Sequence, residues 1–346
     1  ALRTAFQSMP ISQLGYTGPA GLPALREEIA EWLVRSRGME ASSEQIFITS
    51  GATHALGLIS ELLCDGGRGM LAEDPSHAGL IRVLRGGNRP IYPVPVDEAG
   101  IGPVRMPEGD MGGIYVTPSH QFPLGGILPA GRRTALVRFA ARAGAYIVED
   151  DYDSEFRYCG SPVAPLYSMA PERVIYLGTF SKVMFPALRI GYAVLPRPLH
   201  ERWKQLRTHS DVQNPVLEQA ALAIFLHDRR LDRHVRNMRR LYGERRSALL
   251  DALKGEFHIP WRPWGDAAGL HIALQFPGMN FGDGFMRDCL ALGLRLACVE
   301  RHAIVKGAHS DKLLLGYGHL DPGKIREGIA LLREAIDKHQ PDTRPC

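Results

Sequence analysis

The segment Ala145-Tyr146-Ile147-Val148-Glu149-Asp150-Asp151-Tyr152-Asp153 changes character at its midpoint. Ala145–Val148 is short, apolar and rich in β-formers, which reads as a buried strand. It then runs into acids. These cannot all enter a core, because an unpaired buried charge is costly. One of them is expected to point into a polar site; the equally weighted alternative is that the run forms a solvated acidic loop. In open parallel sheets, ligands sit at the carboxyl ends of strands, so this junction is where a site is sought.

Working outward, the same unit recurs. Ile46–Thr49 is an apolar strand that leads through Ser50-Gly51-Ala52-Thr53 into a helix carrying Ala55, Leu58, Ile59 and Leu62. Gly69–Ala72, Pro90–Val94 and Gly113–Thr117 read as strands, Ala78–Leu84 and Thr134–Ala143 as helices. Val174–Leu177 and Arg189–Val194 are strands flanking a polar loop, and Ala20–Val34 is an earlier helix with Leu25, Ile29, Trp32 and Leu33 on one face. This alternation predicts an α/β fold with a mostly parallel sheet covered on both faces. From about Pro198 the pattern turns helical, with Gln213–Leu226 and a long basic helix, Arg229–Leu253. The tail, Phe257–His339, mixes strands (Leu270–Gln275, Lys312–Gly316) with helices and reads as a smaller α+β domain. The expected division is an N-terminal arm segment at 1–20, a large domain at 21–228, a bridging helix at 229–255 and a small C-terminal domain at 256–346.

Composition narrows the classes. With 346 residues and 45% apolar content, the chain can bury a sizeable core in about two domains. Its 41 basic and 37 acidic residues leave +4, too mild for a nucleic-acid platform. No apolar run reaches the ~18–20 residues of a membrane span, and Ala1-Leu2-Arg3-Thr4 does not open a signal peptide. Cys64, Cys159, Cys289, Cys298 and Cys346 are odd in number and lack C-x-x-C spacing. Reduced thiols and a cytoplasmic location are expected. None of the 13 histidines forms an H-x-x-x-H or H-E-x-x-H pattern, so no metal site is expected and most are read as surface or structural.

Four features fall at expected strand ends. Thr49-Ser50-Gly51-Ala52-Thr53 opens a helix whose N-terminus suits a phosphate, against a simpler reading as packing clearance. An acid of the Glu149–Asp153 run can hold a ring nitrogen protonated. Lys182, in the small polar loop Gly178-Thr179-Phe180-Ser181-Lys182, is placed to sit inside, where desolvation would make its amine a Schiff-base nucleophile; a lone lysine is ordinarily exposed. Arg189, with Thr179 and Ser181, can close a phosphate cup, or else form a surface ion pair. Together these supply a phosphate cup, an acid for a ring nitrogen and an amine for an aldehyde. That set suits pyridoxal 5′-phosphate.

At this point the sequence resembles the fold type I aminotransferase superfamily, and within it the aminotransferase-like effector domain of MocR/GabR-type transcription regulators. The strings that carry the resemblance are Tyr115-Val116-Thr117-Pro118-Ser119-His120-Gln121-Phe122-Pro123, Glu149 through Tyr158, Gly178 through Arg189, Tyr16 through Arg26 and Ala268-Gly269-Leu270-His271. The resemblance implies that Lys182 forms the internal aldimine, Asp150 pairs with the pyridine nitrogen and Tyr152 approaches the phenolic oxygen. Gly51, Ala52, Thr53, Thr179, Ser181 and Arg189 would hold the phosphate, with His120 in the cofactor shell. His77 stands where the family often has a stacking aromatic residue, and adds a titratable group. Gly79 stands where a GABA-sensing relative has arginine, which argues against GABA-type recognition. Arg301 resembles the small-domain arginine that clamps an effector carboxylate, against a reading as a surface arginine.

The resemblance further implies a homodimer, and a small amino acid effector, D-alanine among the candidates, that forms an external aldimine. It places DNA contact in a winged-helix domain absent from this chain, and the non-Met start fits an excised effector domain. Two alternatives stand beside this sensor reading. One is a working aminotransferase, for which every part is present. The other is direct DNA contact through Arg229, Arg230, Arg233, Arg236, Arg239, Arg240, Arg245 and Arg246 of the long helix, which otherwise reads as solvated and partly paired with Asp228, Asp232 and Glu244.

Overall fold

The computed structural model describes residues 1–102, 107, 109–161 and 163–339; Cys346 and the end of the expected small domain lie outside them. The strands are β1 (Ile46–Thr49), β2 (Gly69–Asp74), β3 (Ile91–Asp97), β4 (Gly100–Ile101), β5 (Met111–Val116), β6 (Tyr146–Asp151), β7 (Val174–Thr179), β8 (Gly191–Val194), β9 (Arg262–Trp264), β10 (His271–Gln275), β11 (Ala297–Cys298) and β12 (Lys312–Gly316). The first eight form one sheet in the order β1-β8-β7-β6-β5-β2-β3-β4, and the last four an antiparallel sheet, β11-β12-β10-β9.

The central pairs β3–β2–β5–β6–β7 are parallel. β8 runs against both neighbours, β7 and β1. Only eleven residues separate β7 from β8, fewer than the dozen or more a parallel crossover needs. This reversal matters for the site. β1 and β7 end at the carboxyl edge of the sheet, and β8 begins there, with Gly191 beside both Thr49 and Thr179. Arg189 therefore reaches that edge although it precedes a strand.

Apolar residues sort onto the two faces. One face is covered by the helices Pro23–Arg37, Ala130–Ala143 and Val216–His227, through Leu25, Ile29, Leu136 and Leu226. The other is covered by Ala52–Leu63, Ala78–Gly86 and His200–Ser210, through Leu56, Ile59, Leu80 and Trp203. The smaller sheet has its own core, including Phe276, Leu313 and Ile329. The long helix Arg230–Glu256 places Leu231 and Val235 in the first core and Leu249 and Leu253 in the second, so it physically joins the two. The N-terminal helix Leu2–Ser8 packs on Val216–His227.

Several boundaries differ from the sequence reading. The first long helix starts at Pro23, not Ala20, because Gly21 is left-handed (φ 92°) and proline favours a first-turn position. β8 starts at Gly191, since Arg189 is itself left-handed (φ 51°). Arg229 lies outside the long helix as its left-handed cap. β6 continues three residues past Val148, through the acids.

Candidate functional site

That continuation settles the acid run. Successive strand residues face opposite sides. Asp150 shares a face with Val148 and Tyr115 and points into a cavity of about 300 Å³ at the carboxyl edge. Glu149 and Asp151 face the other way. Glu149 accepts from the backbone N–H groups of Leu166 and Tyr167, both at 3.0 Å. Asp151 accepts from the Tyr176 hydroxyl at 2.6 Å and is ion-paired with Arg37, whose Nε lies 2.8 Å away. The alternative of a solvated acidic loop does not form: Glu149, Asp150, Asp151 and Asp153 are all buried, each with a partner.

Asp150 accepts from the Tyr115 hydroxyl at 2.7 Å. Burial pushes its carboxyl up to about 6, against the lowering effect of Tyr115. No guanidinium or ammonium pairs with it among the described residues. A cationic ring nitrogen would supply the missing charge.

The opposite wall is the phosphate cup. Gly51 caps the helix Ala52–Leu63 at φ 86°, and a Cβ there would stand 2.9 Å from Arg189 Nη2. Glycine is required both by the backbone and by the guanidinium packed against it. Arg189 Nη2 donates to the Ser50 carbonyl at 2.7 Å. Thr179 caps the four-residue helix Phe180–Val183 by accepting from Ser181 N at 3.2 Å, and the Ser181 hydroxyl is buried without a partner. Ala52, Thr53, Thr179, Ser181, Lys182 and Arg189 all line the cavity; Gly51 contributes as the helix cap. An orphaned hydroxyl, an open helix N-terminus and a guanidinium facing an uncompensated buried acid across the cavity form a donor set that fits pyridoxal 5′-phosphate.

The expected burial of Lys182 is not met in the single chain. Lys182 and Arg189 are both exposed, since the β7–β8 loop lies on the open side of the cavity beside Met184, Phe185 and Leu188. His77 does line the cavity, and burial lowers it to about 4, so it is neutral at physiological pH. A Cβ at Gly79 would stand 2.5 Å from the His77 ring, so the small residue at 79 is what lets the ring lie where it does. Tyr152 lines the cavity too, with its hydroxyl 3.0 Å from His120 Nδ1.

His120 stands behind the lining, 1% exposed, its Nδ1 also 3.0 Å from Asp153 Oδ2. It touches Tyr152 and does not line the cavity. His120, Asp153 and His271 bring ligand-type atoms within 4.8 Å of one another. One nitrogen of each imidazole has a partner, Asp153 for His120 Nδ1 and the Pro123 carbonyl at 3.1 Å for His271 Nε2, while His120 Nε2 is buried without one. Arg301 is not brought to the cavity. Its side chain is 64% exposed, with Asp283 at 3.7 Å, because the turn Val299–His302 points His302, and not Arg301, at Phe122.

Sequence reasoning missed most of the inner wall: Tyr115, Thr117, Phe122, Asp153, Leu270 and His271. The Phe122 ring meets His77, His271 and His302 edge-on, with centroids 5.9, 5.3 and 5.0 Å apart. Glu73 lies below, accepting from Thr117 N and Oγ1 at 3.0 and 2.7 Å, with burial raising it to about 7. The turn after β2 also grips the small domain. Asp74 accepts from the backbone of Ile304 and Val305 at 2.7 and 3.0 Å, and Ser76 N donates to the His302 carbonyl at 3.0 Å.

Among known proteins, residues 7–278 match the family described as aminotransferase class I and II. The pyridoxine biosynthesis transcriptional regulator PdxR of Corynebacterium glutamicum is 34% identical over 97% of this chain and 73% of its own length. The probable rhizopine catabolism regulatory protein MocR of Rhizobium meliloti is 34% identical over 93% of this chain and 65% of its own length, so the chain spans about two-thirds of that relative. Among solved structures, LysN, the α-aminoadipate aminotransferase of Thermus thermophilus, complexed with N-(5′-phosphopyridoxyl)-L-leucine, superposes with a TM-score of 0.88 at 27% identity, over 98% of this chain and 87% of that one. With its sheet order, its cavity and these matches in agreement, the chain belongs to the pyridoxal-phosphate-dependent aminotransferase class I and II family.

Proposed function

We propose that this chain is the amino-acid-sensing part of a MocR-type transcription regulator, with pyridoxal 5′-phosphate held at Lys182. The observation that carries this reading is the joint presence, at one sheet edge, of Lys182, Asp150 and Arg189 in a chain aligned along 93–97% of its length with regulators. When bound, the cofactor supplies an aldehyde reactive toward primary amines and an electron-withdrawing ring. The chain's own residues divide the remaining work. Asp150 would hold a proton at the ring nitrogen. Gly51, Ala52, Thr53, Thr179, Ser181 and Arg189 would bind the phosphate. Tyr152, hydrogen-bonded to His120, would serve the phenolic oxygen, and His77 would contribute to the wall around the ring.

The effector is proposed to be a small amino acid, D-alanine among the candidates, bound beside the cofactor at this cavity. Its carboxylate reaches Arg301 only if the turn Val299–His302 rotates. Binding acts on the regulator through its different affinity for the open and closed arrangements of the small domain. A homodimer would wall in Lys182 and Arg189, since the loop beside them exposes Phe185 (49%) next to a largely apolar hollow. DNA contact is assigned to a winged-helix domain outside residues 1–346, and the location to the cytoplasm; no helix of the described residues is long and apolar enough to cross a membrane.

The likeness to LysN favours a second reading, a working aminotransferase. One experiment separates them. The cofactor-loaded chain is treated with an amino-acid panel plus a keto acid while cofactor absorbance and keto-acid product are followed. A sensor gives a spectral shift without sustained product; steady product formation would establish the enzyme. Borohydride reduction followed by mass spectrometry should attach the cofactor to the wild type and not to Lys182→Ala.

A further inference from the structure

On the other face of the sheet from Asp150 lies a second cleft of about 470 Å³. It is walled by the end of the helix Pro23–Arg37, the segment 154–160 and the first turns of the long helix. Five guanidinium groups line it: Arg35, Arg37, Arg157, Arg236 and Arg239. Three carboxylates face them, Asp232, Glu155 and, through Arg37, Asp151. Burial beside Asp151 lifts Glu155 to about 7, which reduces the negative charge there.

The pairing is uneven. Arg35 has Glu31 at 3.2 Å and Asp232 at 3.7 Å, and Arg37 has Asp151 at 2.8 Å. Among the described residues Arg157 and Arg239 donate only to the carbonyls of Gly160 and Glu155, at 3.3 and 2.8 Å. Arg236 is exposed and has no ion pair among the described residues. Farther along the same helix Arg240 is matched by Glu244 at 2.6 Å and Arg246 by Asp266 at 2.7 Å, while Arg245 donates to the Gly318 carbonyl. Arg157, Arg236 and Arg239 thus bring three guanidinium groups without an ion pair among the described residues to one cleft. Its floor also holds buried atoms without hydrogen-bond partners, Arg35 Nη2, Ser154 Oγ and Glu155 Oε2, and such groups are costly unless satisfied.

We propose that this cleft binds a small, multiply charged oxyanion carrying phosphate or carboxylate groups. Arg157, Arg236 and Arg239 grip it and Arg35 and Arg37 lie beneath. Guanidinium forks match both kinds of oxyanion. The recessed donors favour a small anion over a DNA duplex, which would meet only the exposed side chains. The site has a route to the cofactor cavity. Arg37 is ion-paired with Asp151, next to Asp150, and donates to Ser119 Oγ at 3.0 Å, next to His120. An anion that draws Arg37 toward it pulls on both supports.

The test is isothermal titration of pyrophosphate and, separately, citrate into the cofactor-loaded chain in low-chloride buffer. Saturable binding of either is expected. The double variant Arg236→Ala/Arg239→Ala should weaken it about 100-fold, about tenfold for each charge-assisted grip removed. Arg240→Ala, already neutralised by Glu244, should change it less than about twofold. Both replaced residues of the double variant are exposed on a helix, where alanine fits, and a matching melting temperature confirms folding. No saturable binding of either anion at millimolar concentration, or binding indifferent to the double substitution, would overturn the proposal. So would a short DNA duplex that binds through these arginines while neither small anion does.

Discussion

Replacing Asp150 by asparagine is expected to move stability and cofactor affinity in opposite directions. The carboxyl sits at about 6 in the folded chain against an ordinary 3.8. Between those values the folded state keeps a proton that the unfolded state releases, so stability is full below the unfolded value and is lost as pH rises to about 6. The displacement of about two units corresponds to about 3 kcal/mol at pH 7.5, of which about 1 kcal/mol is already lost at pH 4.5. The asparagine amide would carry no such charge yet still accept from Tyr115. In urea denaturation of the cofactor-free protein, Asp150→Asn should therefore exceed wild type by about 1 kcal/mol at pH 4.5 and about 3 kcal/mol at pH 7.5. Glu149, raised to about 7 without a contribution from Asp150, titrates alike in the two proteins and cancels, whereas Glu73, raised partly by Asp150, shifts down in the variant and adds to its advantage at pH 7.5. Cofactor affinity should fall by about 10- to 100-fold, the worth of a charged hydrogen bond. An advantage equal at both pH values, a variant less stable than wild type at pH 7.5, or undiminished cofactor affinity would refute the reasoning.

Two further outcomes follow from the same site. Gly51→Ala forces a left-handed cap and presses on Arg189; it should cost about 1–3 kcal/mol of stability in denaturation and weaken pyridoxal phosphate binding at least tenfold by fluorescence titration. Arg301→Ala should leave cofactor affinity unchanged, since the side chain stands outside the cavity; a loss of the amino-acid-induced spectral shift in that variant would show that the turn Val299–His302 swings inward on binding.

The layered architecture was legible because each buried strand is an uninterrupted apolar run and each covering helix has a one-sided stripe. What escaped was where a strand ends. Hydrophobicity stops at Val148, but the hydrogen-bond ladder continues, with Asp150 opposite Leu177 and Asp151 opposite Gly178. That extension sends Asp150 and Asp151 to opposite faces, which no reading of the four acids as a loop could deliver. Lys182, Asp150 and Arg189 were legible as chemistry because each lies beside a strand end. Phe122, His271 and His302 were not, because they converge from separate segments, two of them in the small domain, and nothing local marks their meeting. Arg301 and His302 are adjacent in sequence, so only the rotation of one turn decides which faces Phe122.

The bend after β2 carries two duties at once. Asp74 and Ser76 are fastened to the backbone of 302–305, and His77, one residue on, sets the ceiling over the cavity. Because one bend is fastened to residues 302–305, through the Asp74 carboxylate and the Ser76 N–H, and also carries His77, a displacement of the smaller sheet at that point would disturb the seat of the imidazole as well.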